Sequence, residues 1–128
     1  MQAKLSTLWI FVLFNSLFRD VHELFRPGVL KQMQSGVVNG TEITESLMLV
    51  GGLIVEIPIL MVVLSRFLPF KLNKWMNISS AVLMGLVTLQ SGAYDLDDIF
   101  FKVIVLGALI VIIWQSWRWN EIKVGNGA

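Results

Sequence analysis

Residues 44–68 read TESLMLVGGLIVEIPILMVVLSRFL. Between Glu45 and Arg66 the only ionisable side chain is Glu56, and Pro58 follows two residues later. About 20 predominantly apolar residues suffice for a helix to cross the ~30 Å hydrocarbon core of a bilayer. This segment therefore sets the expectation for the rest of the chain, which is that its solvent is lipid.

Composition points the same way. Of 128 residues, 55% are hydrophobic and 15% charged, and mean hydropathy is +0.72. A soluble domain would be nearer a quarter charged. The length predicts one domain. A net charge of +1 offers no basic footprint for nucleic acid. The absence of cysteine removes disulfides, thiolate metal sites and haem attachment, and no cofactor is expected.

Three further apolar segments accompany residues 44–68, giving spans at about 5–25, 44–68, 75–92 and 97–119. The third reaches full length only by running towards Tyr94. Alternating strand patterns are absent, which argues against a β-barrel. The predicted fold is an all-α integral membrane four-helix bundle. The first apolar run resembles a secretory signal but leads straight into Arg19 and Asp20 with no small-residue cleavage site, so it is expected to be a retained helix. Pro27 and Gly36 bracket a predicted short interfacial helix over about 27–35. Asn39-Gly40 predicts a turn, with Thr41 as an N-cap before the second span.

Orientation follows from basic residues in short flanks. Lys4, Arg66, Lys71, Lys74, Arg118 and Lys123 fall on one side, and Arg19, Arg26 and Lys31 on the other. Both termini are thus predicted cytoplasmic, in a cell inner membrane. Trp9, Trp75, Trp114, Trp117 and Trp119 are expected at the same cytoplasmic interface.

The opposite, outer end gathers charge. Arg19-Asp20-Val21-His22-Glu23 closes the first span, Glu42 and Glu45 open the second, and Asp97, Asp98 and Lys102 begin the fourth. Helical spacing puts Ser16, Asp20 and Glu23 on one stripe and Asn15, Arg19, His22 and Arg26 on the next. These charges are either a solvated helix end or a polar mouth. Glu56 lies about 12 residues from that end, roughly 18 Å deep at 1.5 Å per residue. A carboxylate at such depth is costly and usually faces the interior or a cavity. Asn15, Ser16, Ser79 and Ser80 are the partners its depth permits, and interhelical hydrogen bonding is the plain alternative to ligand, ion or proton handling. Lys102 pairs with Asp98 four residues earlier or turns inward to Asp20 or Glu45. The lone His22 with nearby carboxylates lacks metal-ligand spacing, so no metal is assigned.

The pieces RDVHELFRPG (19–28), NGTEITE (39–45), VEIPILMVVLSRFLP (55–69), NKWMNI (73–78) and DLDDIFF (95–101) together resemble an uncharacterised family of small bacterial four-span membrane proteins, with a looser likeness to DoxX-like proteins. The resemblance covers nearly the whole chain. It implies that Glu56, Pro58, Arg66, Pro69 and the Asp20-x-His22-Glu23 group belong to a family pattern. That pattern has an acidic residue early in the last span, where this chain carries Ile104 and Val105. The family has no assigned activity, so no catalytic role transfers.

The expected function is a polar pocket on the outer side, reaching from Asn15, Arg19, Asp20, His22, Glu23, Glu45, Asp98 and Lys102 down to Glu56, that binds or moves a small ligand, ion or proton. The expected partners are the bilayer, such a ligand, and a second copy of the chain. A membrane enzyme acting on a lipid or quinone-like substrate, and an accessory membrane subunit, are the rival expectations.

Overall fold

The computed structural model describes residues 1–93 and 95–120. Tyr94 and Lys123, used above for the third span and for orientation, lie outside the described residues. The element order is α1 (Gln2–Glu23), α2 (Val29–Ser35), β1 (Val37–Val38), β2 (Thr41–Glu42), α3 (Glu45–Phe67), α4 (Phe70–Gln90) and α5 (Leu96–Arg118). Among the described residues the fold is all-helical apart from one small hairpin. Each long helix packs on two others, α1 on α3 and α5, and α4 on α3 and α5. Among the described residues one helix, Glu45–Phe67, is long and apolar enough by composition to cross a membrane.

The local signals explain most boundaries. Asn39 (φ 50°) and Gly40 (φ 79°) both adopt positive φ, which a two-residue hairpin turn requires. That turn pairs Val38 with Thr41. Thr41 is thus in a strand, and the cap of α3 is Thr44, whose side chain accepts from the Leu47 amide at 3.1 Å. The short helix begins at Val29 rather than Pro27, because Gly28 takes the left-handed conformation at φ 85°. Gly36 ends it at φ 82°, where a glycine escapes the Cβ penalty. α4 starts at Phe70, earlier than hydropathy placed it, since Lys71, Asn73 and Lys74 are polar but helical.

The core is lopsided. Leu5, Trp9 and Val12 of α1 meet Met61 of α3, Ala81 and Met84 of α4, and Val105, Ala108, Leu109 and Ile112 of α5. These side chains come mostly from the end holding the start of α1 and the close of α5. At the other end α3 is exposed from Glu45 to Leu53, Ile54 and Ile57 are half-buried against the core, and the first fully buried residue is Pro58.

A polar junction sits within this core. Trp9, expected at a membrane interface, is instead 0% exposed. Its Nε1 donates to Asn77 Oδ1 at 2.7 Å, and Ser65 Oγ donates to the same oxygen at 3.2 Å. Asn77 Nδ2 donates to Asn73 Oδ1 at 2.6 Å and to Asn73 O at 2.8 Å. Asn73 Nδ2 donates to Ser65 O at 2.7 Å. Nearby, Ser6 Oγ donates to Val62 O at 2.7 Å. An indole N–H cannot be buried without an acceptor at low cost, so Trp9 holds α1 in register against α4 through Asn77. Trp75, Trp114 and Trp117 are exposed, and Trp119 is half-buried against the core.

Asn77→Ala strips the acceptor from two buried donors, each costing roughly 1–3 kcal/mol. The thermal midpoint of the purified protein should fall clearly. Trp9→Phe should cost less in the Asn77→Ala background than alone, because the shared bond is already gone. Strictly additive costs in a double-mutant cycle would rule out the junction as a coupled unit.

Candidate functional site

The end of the molecule away from the core is organised by the close of α1, the start of α5 and the turn after α4. Asp95 is the N-cap of α5, and its side chain accepts from the Asp98 amide at 3.4 Å. This is the ordinary role of aspartate before a helix. Asp98, three residues on, is buried at 0% exposure.

Arg19 meets Asp98 there. Its Nε lies 3.4 Å from Asp98 Oδ1. The rest of its guanidinium donates to Ser91 Oγ at 3.2 Å and to Gly92 O at 2.8 Å. One side chain thereby joins α1, the α4–α5 turn and α5. Four residues later on α1, Glu23 Oε2 pairs with Arg26 at 3.4 Å, and Arg26 also donates to Asn39 Oδ1 at 3.1 Å. The other oxygen, Glu23 Oε1, is buried with no hydrogen-bond partner among the described residues.

Glu23, Asp95 and Asp98 each offer a carboxylate oxygen, and these oxygens lie within 4.8 Å of one another. A hydrogen bond involving Asp97 holds the Asp95 carboxyl above the usual carboxylate range, with burial adding to the effect. Carboxylates this close favour holding a proton or a cation between them. Asp95 and Arg26 were not among the predicted site residues. The signal was available in the i, i+3 spacing of Asp95 and Asp98 ahead of an apolar run, and in the i, i+3 spacing of Glu23 and Arg26 at the close of α1.

The remaining predicted residues divide. His22 Nδ1 lies 3.5 Å from Asp97 Oδ2, with its ring 5.2 Å from that of Phe101. Lys102 pairs with neither Asp20 nor Glu45. Its Nζ donates to Ser91 O at 2.9 Å and Leu89 O at 3.3 Å, where a cation satisfies the last carbonyls of α4. Asn15 Nδ2 bonds within its own helix, to Phe11 O at 2.9 Å. Glu45 is exposed in the first turn of α3.

Asp20 lines a cleft between α1 and α3 with Ser16. The single acidic stripe expected on α1 is thus split, because α3 and α5 pack on different faces of that helix.

The expectation of one pocket reaching down to Glu56 is corrected. Glu56 is exposed on the outward face of α3, among Leu53, Val55 and Ile59, which are also exposed. The reason is packing. α3 buries Pro58, Met61 and Ser65, and Glu56 is offset from that stripe.

A model of a family of unknown function (DUF6326) matches residues 1–124. No curated protein matched, and no solved structure matched.

Removing the guanidinium while leaving the buried acid should be costly. Arg19→Leu is expected to destabilise by roughly 3 kcal/mol, the low end for a broken buried pair, because Arg19 retains some exposure. Adding Asp98→Asn to that variant should recover part of the loss. Equal stability of Arg19→Leu and the parent in chemical unfolding would remove the pair from any structural role.

Proposed function

Starting from a chain that belongs to this family of unknown function (DUF6326), matched over residues 1–124, we propose a small multi-span membrane protein whose charged outer end takes up a cation in competition with a proton. The four long helices would cross the bilayer as a bundle, with both termini cytoplasmic.

Exposed apolar side chains support the bilayer. Phe11, Phe14, Leu17 and Phe18 of α1, Val82, Leu86 and Leu89 of α4, and Val103 and Ile110 of α5 face outward, where water would be a poor solvent. At the opposite end from the carboxylates, Arg118 lies 4.9 Å from the Trp114 ring centroid, and Lys74 lies 5.8 Å from that of Trp117. Such cation–aromatic belts suit a headgroup layer. Glu56, on the apolar exterior of α3, calls for a polar cover, and a second copy of the chain is the partner we propose for it.

One observation carries the cation reading: three carboxylate oxygens within 4.8 Å, one of the acids fully buried. Arg19 and Arg26 offset part of this charge, and His22, Asp97 and Lys102 border it. Oxygen donors of this kind suit hard cations such as Ca²⁺ or Mg²⁺. Enzyme action would draw on His22 and Asp97, but Asp97 makes the ring a surface pair rather than the wall of a cleft. The accessory-subunit reading explains the apolar exterior and leaves the carboxylate group without a role.

The pH dependence has a definite sign. A carboxyl held above its ordinary range, as Asp95 is, binds its proton more tightly folded than unfolded. Its contribution favours the folded state at low pH and is lost as pH rises through the folded value. A cation that replaces the proton restores stability at high pH.

Ca²⁺ or Mg²⁺ should therefore raise the thermal midpoint of the detergent-solubilised protein more at pH 8 than at pH 5.5. At 100 times the dissociation constant the gain is about 2.7 kcal/mol. Asp95→Asn should weaken the effect. The absence of any cation-dependent shift at either pH overturns the cation site, and release from membranes by an alkaline wash overturns the bilayer reading separately.

A further inference from the structure

Between α1 and α3 runs a cleft of about 350 Å³, lined by Ile10, Leu13, Phe14, Leu17, Val55 and Ile59, with Ser16 and Asp20 its only polar residues among those described. This volume is in the range of small-molecule sites, which are mostly apolar with a few polar groups that fix orientation. From Ile10 to Asp20 along α1 is roughly 15 Å at 1.5 Å per residue. The space is elongated, and the carboxylate is at one end.

The status of Asp20 distinguishes it from the acids at the close of α1 and the start of α5. Glu23 pairs with Arg26, Asp97 with His22, Asp98 with Arg19, and Asp95 caps α5. Asp20 has no hydrogen bond or ion pair among the described residues. Its sequence neighbour Arg19 is committed to α5 and the α4–α5 turn. A negative charge at the end of an apolar slot is complementary to a molecule with a cationic head and an apolar tail. An anionic head would be repelled, and a neutral one would gain nothing from the charge.

We propose that the α1–α3 cleft binds a single-chain lipophilic cation, with the head on the Asp20 carboxylate and the tail along Leu13, Leu17, Val55 and Ile59. The site is separate from the Glu23–Asp95–Asp98 group and stands whether or not that group binds a metal.

The test uses the full chain in phosphatidylcholine nanodiscs, with dodecyltrimethylammonium as the probe and dodecyl sulfate as its anionic counterpart. Calorimetric titration, corrected with empty nanodiscs, should show saturable binding of the cation only. Asp20→Asn should weaken it ~10-fold or more, the scale of one charge-assisted contact. Because Asp20 is exposed, that variant should keep the parent's thermal midpoint. Ile59→Trp, which fills the cleft and leaves the carboxylate in place, should also abolish binding. Asp95→Asn should leave it unchanged while weakening the Ca²⁺ response, so the two sites fail independently. Undiminished binding in Asp20→Asn or Ile59→Trp, equal binding of dodecyl sulfate, or no saturable binding by the parent would overturn the proposal.

Discussion

The hydrogen bond from the Trp9 indole to Asn77, at 2.7 Å, is the constraint around which the packing is arranged. It places the largest side chain of α1 at the junction of α3 and α4. Ser65 shares the same acceptor, so three helices have one polar point in common. Apolar contacts tolerate sliding by small amounts, whereas a buried donor and acceptor do not. With α1 fixed in depth against α4, Arg19 arrives at the level of Asp98, and Glu23 arrives beside Asp95. The geometry of one end thus depends on a bond at the other.

Much of the fold was legible in the sequence. Apolar runs marked the long helices, Asn39-Gly40 marked the hairpin, and Gly36 marked the end of the short helix. The charged cluster at the close of α1 and the start of α5 was also legible, because topology brings those ends together. Which partner each charge takes was not. Lys102 caps α4 rather than meeting an acid, since carbonyls at a helix end compete well for an ammonium. Trp9 looked like an interfacial residue because hydropathy does not register a distant asparagine. Glu56 looked internal on depth alone, and depth says nothing about which face a helix turns inward. Only Pro58, Met61 and Ser65 of α3 are fully buried, and its larger apolar side chains gave no strong stripe to read.

Arginine has a particular part at the charged end. Its planar fork makes several directional bonds at once, and Arg19 uses them to join an acid, a hydroxyl and a backbone carbonyl. A lysine would supply the charge but not the three-way geometry. Asp20, one position on, is left free of this tie by the 100° turn between neighbouring helical residues, which is how adjacent charges come to serve two different places.

The uneven core also bears on how the molecule opens. Contacts are concentrated where Leu5, Trp9, Met61 and Ile112 meet, and the first half of α3 contributes no buried side chain before Pro58. Free energy of local opening tracks buried contact density. Cooperativity is therefore graded along the helix axes. The packed end behaves as a pivot that yields only with global unfolding, while the leading turns of α3 separate from α1 at much lower cost, as the arms of tweezers move about their joint.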